Sequence, residues 1–553
     1  QIRVDKFMAT MWKQLTEEEP DFGKLFKFGM RHVIPSRAKK ALAFNLVFLT
    51  LFLLVWYQFN GGFLPGFLRG KQEVALTTGS SPYQFFPLFN DGSKLKFAHA
   101  VNSKERLTKS LQNGDVMMLE ADIILRGQGT PQQELVPIMA KPPATTSDIT
   151  FREWLALAKS TGKGLKLDFK SIESVELSLQ TLQEHHKEIK GPVWLNANIL
   201  PGPGAAEDDK PVDEERFLRL CTTMFPQSTL SLGWKPATGP SENLQYTWKM
   251  VKQMYDLIQK WQIRQAVTFA VRASYVHTSI PQLKWLIEMT QGTLTLWLGP
   301  EDPITLTNLA FIRHRFEKNQ VFYELNDELM NSFESIKSNP KAHISEEMRK
   351  GDTLYFSPDL WRPLQTGTDD IMHIGSESLI MRKSMLLSKQ PYKAGPSEGV
   401  SIKGQVEFIG DTPGPVLLLS SGKDMGLYIY LRVSQYSTVS SLNGVECFIG
   451  ANGKLHISGT GSDIVDEVVM SQKPGCVQFE INDVGDKITF HASVFENCPL
   501  ESKSSTVLAE DSLQLTMNGV NTAGNHVALK AGNADIHMAI PKLHISQHKV
   551  HEV

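Results

Sequence analysis

Lys96–Pro143 reads KFAHAVNSKERLTKSLQNGDVMMLEADIILRGQGTPQQELVPIMAKPP. A short apolar run ends in His99, with Asn102 just beyond it, and a second run, 116–119, ends in Glu120-Ala121-Asp122. Residues two apart on a strand point to the same face, so Glu120 and Asp122 share one. Two carboxylates side by side repel, and one is pushed toward protonation unless a cation lies between them. Hard divalent cations take oxygen ligands of this kind, which makes the pair a candidate Mg²⁺ or Ca²⁺ site. The alternative is two solvated carboxylates where a strand meets a loop.

The rest of the chain decides between them. Short apolar runs recur at 95–100, 116–121, 165–169, 193–197, 229–233, 266–271, 293–298 and 321–324. Helical stretches such as FREWLALAKS, ESVELSLQTLQEHHKEI and YTWKMVKQMYDLIQKW lie between most of them. Strand–helix alternation predicts a parallel sheet. Eight strands in this length predict an α/β fold of the (β/α)₈ TIM-barrel type over 83–335, with a doubly wound open sheet as the alternative. No Gly-rich phosphate turn follows the first strand, and the GQG at 127–129 reads as a loop.

After about residue 340 helical periodicity fades. Runs such as VSIKGQVEFIG, LYIYLRVS, VECFIG and CVQFEIND alternate with Gly, Asn, Asp and Ser. They predict an all-β sandwich or jelly roll over 366–553, joined by a linker at 336–365. His544, His548 and His551 have a spacing that suits metal on a helix, but a frayed terminus explains them as well.

Residues 41–59 (ALAFNLVFLTLFLLVWYQF) carry no charge. A helix of that length spans about 28 Å, close to the bilayer core. The basic residues before it place 1–40 in the cytoplasm by the positive-inside rule. The expectation is a single-pass type II signal anchor, a stalk at 60–82, and an extracellular or lumenal barrel and sandwich. A cleaved signal peptide competes less well, because its charged region would be unusually long. No Asn-x-Ser/Thr sequon occurs.

The 553 residues are too many for one core. Their 41% hydrophobic and 21% charged content is that of folded protein, and a net charge of −2 gives no sign of a nucleic-acid surface. Of four cysteines, Cys447, Cys476 and Cys498 fall near the end, leaving room there for at most one bridge.

Strand ends build the active site of a barrel of this type, and here they are polar. GLKLDFK puts Lys166, Asp168 and Lys170 on one face, and VWLNAN does the same with Asn196 and Asn198. Trp234, Arg272, Trp297 and Glu324 close later strands. Carboxylates for a cation (Glu120, Asp122, Asp168) beside basic groups for an anion (Lys166, Lys170, Arg272) suit a phosphodiester. A glycosidase would use two carboxylates without the three basic groups.

His-x-x-Asn, E-A-D, P-I-M-A-x-P-P, K-L-D-F-K, W-x-N-A-x-I-L-x-G-P, S-L-G-W and T-F-x-V-R-A together resemble the menorin family over about residues 83–335. Through its barrel that family is similar to the phospholipase C-like and glycerophosphodiester phosphodiesterases. The resemblance implies His99 as a catalytic acid/base, with Glu120 and Asp122 as metal ligands. Asp168 and Lys170 match the Asp-x-Lys with which sphingomyelinase D-like relatives position metal and phosphate, and Arg272 would be a further phosphate contact. Two positions depart from the pattern. Lys141 stands where the family usually has His, and Asn198 where it usually has Asp. An amine is a far weaker acid than an imidazolium, so the departure at 141 bears on a two-histidine mechanism. Menorins are known as extracellular factors in neuronal branching, so the second expectation is an inactive recognition or adhesion protein that acts through extracellular protein partners.

Overall fold

The computed structural model describes residues 82–553 except 207, 238, 240–243, 300–301, 347, 349–355, 365–370, 396–397, 411–424, 439–441, 443, 460–464, 471–474, 496–506, 517–524, 533–535 and 550–553. Its first part is built from β1 (Phe97–Ala98), β2 (Met118–Leu125), β3 (Pro137–Met139), β4 (Gly164–Phe169) and β5 (Val193–Pro201). β6 (Thr229–Lys235), β7 (Val267–Arg272), β8 (Thr293–Trp297) and β9 (Val321–Glu324) complete it. Eight of these strands pair in the order β1-β2-β4-β5-β6-β7-β8-β9, and every pairing along that path is parallel. β3 is an added antiparallel hairpin on β2. The barrel is nearly closed. No strand ladder joins β9 to β1 among the described residues, and Gly92 N donates to the Lys318 carbonyl across that gap at 2.9 Å. A Cβ on Gly92 would sit 2.1 Å from the Val321 carbonyl, so only glycine allows this approach.

Each expected apolar run holds a strand because both faces of such a strand are covered, one by the barrel interior and one by helices. On β4, Leu165, Leu167 and Phe169 join the hydrophobic core, while Lys166 and Asp168 alternate to the other face. The helices between the strands start on side-chain caps. Thr150 and Glu153 form a capping box for Phe151–Ala158, and Thr247 accepts from Met250 N at the start of Trp248–Lys260.

The second part is two antiparallel seven-stranded sheets. One contains β10 (Trp361–Pro363), β13 (Met385–Ser388), β15 (Gly426–Val433), β16 (Val445–Gly450), β17 (Lys454–Gly459), β18 (Val465–Val469) and β22 (His526–Ala531). The other contains β11 (Ile371–Ile374), β12 (Leu379–Arg382), β14 (Glu398–Ile409), β19 (Cys476–Val484), β20 (Lys487–Phe495), β21 (Val507–Thr516) and β23 (His537–Lys549). β10 lies inside the stretch expected as a linker. His544 and His548 sit on β23 rather than on a helix or a frayed end, paired across to Lys403 and Gly399. Cys476 is disulfide-bonded, and Cys221 and Cys447 are free.

One expectation is corrected. No helix among the described residues is long and apolar enough to cross a membrane, and the expected span at 41–59 lies outside them. The described fold is a barrel and a sandwich without a spanning helix, and no described helix supports the expected single-pass type II placement.

The sandwich packs on the barrel through three helices, one of them Leu306–Arg315, whose Arg315 pairs with Glu377. From Ile280–Thr290, Lys284 pairs with Glu377 at 2.7 Å, Trp285 Nε1 donates to the His373 carbonyl at 3.4 Å, and Glu288 accepts from Ser376 N at 2.7 Å. Tyr255, on Trp248–Lys260, meets the His373 ring edge to face at 5.0 Å. Ile380, Ile409 and Ala539 of the sandwich join the barrel's core.

Charged and titratable groups line this seam: Lys252, Asp256, Arg382, His373, His537 and Glu407. Burial, with Lys252 and Arg382 adding to it, pushes His537 down to about 4, and burial and Lys252 lower His373. Burial pushes Glu407 up to about 7 against the Trp248 backbone N–H that it accepts. The signs are opposite. The histidine contribution is fully present above their ordinary 6.5 and is lost as pH falls toward 4. The Glu407 contribution is present below its ordinary 4.5 and is lost as pH rises through about 7. Replacing both histidines with glutamine isolates the first. Between pH 7 and 4.5 the wild type should lose on the order of 2 kcal/mol more stability than the double variant, allowing for partial exposure of the rings. Parallel pH–melting curves for the two proteins would contradict this.

Candidate active site

The C-terminal ends of the strands gather four carboxylates. Glu120 and Asp122 come from β2, Asp168 from β4 and Glu324 from β9. The parallel register sets Glu120 beside Lys166 and Asp122 beside Asp168. Glu120, Asp122, Lys166 and Glu324 are all nearly fully buried. Carboxylates taken from water need partners, and each has one. Lys166 Nζ bonds Glu324 Oε2. Lys170 Nζ lies 2.8 Å from Asp122 Oδ1 and also bonds Asp168. Asn102 Nδ2 donates to Asp122 Oδ2 at 2.7 Å, and its own Oδ1 accepts from Asp122 N at 2.8 Å. Ala100 N donates to Glu120 Oε2 at 2.6 Å.

His99 stands over this floor, just after β1. Its Nδ1 is 3.0 Å from Glu324 Oε1 and 3.1 Å from Glu120 Oε2. Its side chain is 56% exposed, and Nε2 has no partner among the described residues. The ring is thus fixed from below, with its other nitrogen open to the barrel mouth.

The fields in the site follow from these contacts. Burial disfavours the imidazolium, but the Glu324 bond and the Glu120 and Glu324 charges outweigh it and raise His99 to about 9. Burial and neighbouring Asp122 push Glu120 up to about 7. Burial would raise Asp122 too, but Lys170 and the Asn102 amide hold it below the usual carboxylate range. Glu324 is likewise lowered despite burial, by Lys166 and His99. Both lysines are raised against their burial by the carboxylates around them.

Two groups bring ligand atoms within 4.8 Å of one another, His99–Glu120–Glu324 and Glu120–Asp122–Asp168. The second is all oxygen and fits a hard divalent cation. In the first, an imidazolium and the Lys166 ammonium already stand against the carboxylates, which suits a proton better than a metal.

The other expected residues fall in several places. Lys141 follows β3. Ala140 N donates to the Asp122 carbonyl at 3.0 Å, which sets Lys141 close enough to lower Asp122 by its charge. It is exposed and makes no ion pair among the described residues. Asn196 is buried and accepts from Ser231 Oγ at 2.6 Å. Asn198 Oδ1 fills the space where a Cβ on Gly233 would lie, 2.3 Å away. Trp234 does not line the mouth. It is fully buried among Tyr246 and Phe269, with ring centroids 5.1 and 6.1 Å away. Trp297 is half-buried, 5.9 Å from the Arg272 guanidinium.

Arg272 is placed at the mouth but is fully occupied. Nε donates to both Asp302 oxygens at 2.9 and 2.8 Å, and Nη2 donates to Asp302 and to the Gly239 carbonyl (2.7 Å). Nη1 donates to the Ala237 carbonyl (3.1 Å) and the Tyr275 hydroxyl (3.0 Å). A guanidinium has five N–H groups, so none is left for a phosphate. Arg272 instead ties the loops after β6 and β8 to the end of β7. Asp302 was missed in the sequence. As the second acid in GPEDP after a barrel strand, it was a possible partner for the arginine one strand earlier.

The family model of the menorin N-terminal domain matches residues 91–330. Human protein FAM151B is 40% identical over 237 residues, which cover 42% of this chain and 83% of that protein. The chain belongs to the menorin family. The matched region of this menorin contains the barrel from just before β1 through β9 and ends within the helix Asp327–Ile336, and every residue of the carboxylate cluster lies within it. Similarity to solved structures is much weaker. The alginate lyase from Klebsiella pneumoniae aligns with 36% of this chain and 98% of its own at 10% identity and a TM-score of 0.24. The carbohydrate recognition domain of Emp46p aligns with 34% and 88% at 9% identity and a TM-score of 0.23. Scores this low establish no shared fold.

Proposed function

We propose that the barrel binds a phosphodiester together with a divalent cation, Mg²⁺ or Ca²⁺, and cleaves it weakly. The observation that carries this reading is His99. Its Nδ1 is held by buried Glu324, and its Nε2 is open at the mouth beside an all-oxygen cluster. That is the geometry of a general acid able to protonate a leaving oxygen. The four carboxylates stand against His99, Lys166 and Lys170 in the pocket and Lys141 at its rim, so the site offers groups of both signs to a cation and an anion bound together. Glu120, Asp122 and Asp168 would hold the cation, which when bound withdraws charge from the phosphoryl group. Lys141, the exposed ammonium at the rim, would meet the phosphate oxygens.

A second reading has its own observation. Lys141 occupies the position where the family usually carries a second histidine, and an amine is a poor partner in acid/base exchange at neutral pH. The pocket then binds without turnover and serves recognition.

The cation is tested directly by melting the protein with and without Mg²⁺ and Ca²⁺. Saturation at about 100 times Kd should stabilise the wild type by about 2.7 kcal/mol. Glu120→Gln with Asp122→Asn should abolish that gain. A wild type indifferent to both ions would remove the basis for the cation site. Titration of a soluble glycerophosphodiester by calorimetry, with and without the ion, then separates binding from turnover.

A further inference from the structure

The end of the barrel opposite the mouth, where the strands begin, is closed by the segment 82–95. Leu88 and Leu95 are buried against Met118, Trp194 and Phe322 near the starts of β2, β5 and β9, with Tyr83, Phe86 and Phe97 packed around them. The same segment turns two other rings outward, Phe85 at 41% exposure and Phe89 at 82%. Phe89 also has a left-handed backbone, with φ 49°, and is followed by Asn90 at φ 56°. A bulky side chain rarely adopts that conformation, because its Cβ crowds the following carbonyl. Fixed neighbours hold it there. Leu88 is fully buried, Asp91 N donates to the Leu88 carbonyl at 3.0 Å, and Arg313 grips the Asp91 carboxylate at 2.7 and 2.9 Å. Glycine would sit at 89 without strain, yet a phenyl ring is displayed to solvent.

The surroundings of these rings are cationic. Lys94 Nζ lies 4.6 Å from the centre of the Phe89 ring. The loops that lead into β5 and β9 add exposed Lys187, Lys190 and Lys318 at the same end. None of these lysines has an ion pair among the described residues. Two acids of the same loops are taken, Asp115 by Lys96 at 3.3 Å and Glu188 by Lys159 at 2.7 Å, while Glu317 stays open.

A partner for this face must accept two aromatic side chains and several ammonium groups together. Exposed Gln84, Pro87 and Asn90 surround the rings, so a protein that buries a continuous apolar core finds little here. A bilayer interface needs no continuous patch. Single rings enter the boundary of the acyl chains, and lysines stay with anionic headgroups. We propose that this end of the barrel docks on an anionic lipid surface, with Phe85 and Phe89 in the interface and Lys94, Lys187, Lys190 and Lys318 on the headgroups. The contact is made by loops and needs no spanning helix. It sets the mouth on the side away from the lipid, and it is independent of the chemistry in the barrel.

The test places an environment-sensitive fluorophore on the full chain at Gln84→Cys, beside Phe85, with the unsubstituted chain as the labelling blank. Cys221 and Cys447 are buried and Cys476 is disulfide-bonded, which favours labelling at 84. Vesicles of phosphatidylcholine with phosphatidylserine should raise the emission and shift it to the blue. Vesicles of phosphatidylcholine alone, or added salt, should weaken the response. Phe89→Gly should raise the half-saturating lipid concentration at least about tenfold. It should melt no lower than the wild type, since it removes strain and no core contact. Lys94→Gln and Lys318→Gln should each raise that concentration about fivefold. The same fluorophore at Leu135→Cys, exposed in the β2–β3 loop at the mouth end, should stay silent. Because the chain also carries the uncharged stretch 41–59, the local probe decides and co-sedimentation does not. A probe at 84 that ignores anionic vesicles would overturn the proposal. So would an equal response on neutral vesicles or at 135, or a response that Phe89→Gly leaves unchanged. A shift that follows protein concentration without lipid would overturn it too, and would mark the face as a contact between copies of the chain.

Discussion

Replacing Arg272 with alanine is expected to cost about 3–5 kcal/mol of stability, the usual consequence of removing one partner of a buried ion pair. For a unit the size of the barrel that corresponds to a fall in melting temperature of about 10 °C. The size of the effect comes from what is left behind. Asp302 would remain as an uncompensated carboxylate at a site where its side chain is only 1% exposed. The carbonyls of Ala237 and Gly239 and the Tyr275 hydroxyl would also lose their donor. Arg272→Lys keeps the charge but cannot reach Asp302 and two carbonyls at once, so it should recover only part of the loss. Hydrogen exchange should show the loops at 237–239 and 299–302 opening together in the alanine variant, because one side chain holds both. A variant melting within a degree of the wild type would show that neither loop depends on this arginine. If Arg272 served the phosphate instead, alanine would reduce ligand affinity and leave melting unchanged.

The contrast between Arg272 and Lys170 shows what the sequence could and could not carry. Lys166, Asp168 and Lys170 share a face by alternation, and Glu120 and Asp122 do likewise, so local spacing was enough to bring these groups to one mouth once the barrel was inferred. The barrel was legible for a related reason: strands buried on both faces leave continuous apolar runs, and each of the eight expected runs holds a strand. Partner choice was not legible. Lys166 takes Glu324 from the last strand, and Arg272 takes Asp302 from a loop thirty residues on. Closure of the barrel brings Glu324 to Lys166, and the path of the loop after β8 brings Asp302 to Arg272; strand alternation specifies neither. Trp234 failed as a pocket residue because an aromatic at a strand end can turn inward, as it does here between Tyr246 and Phe269. In the second part, alternation gave individual strands, the four runs quoted above falling on β14, β15, β16 and β19, but not their number. Which residues face one another there depends on cross-strand register, which short runs with variable loops do not specify.

Lys141→His should raise phosphodiester turnover by about 10²–10⁴-fold, the usual contribution of a positioned general acid or base. His99 and Lys141 flank β2. His99 reaches Glu120 from the β1 side, and Lys141 stands beside Asp122 from the β3 side. A phosphodiester over the carboxylates would therefore have one group on either hand. His99, raised to about 9 by Glu324 and Glu120, is a proton donor at neutral pH. The opposite position needs a group that accepts a proton from the attacking oxygen, and an ammonium has no lone pair for it. An imidazole there supplies one, and the native protein should consequently turn over slowly while still binding its ligand through the Lys141 charge. His99→Gln in the Lys141→His background should remove the gain, since the new base has no use without the acid. Lys141→Ala should weaken phosphodiester affinity without raising turnover. Fast native cleavage that Lys141→Ala leaves unchanged would show that position 141 takes no part, and that the proton is accepted elsewhere in the site.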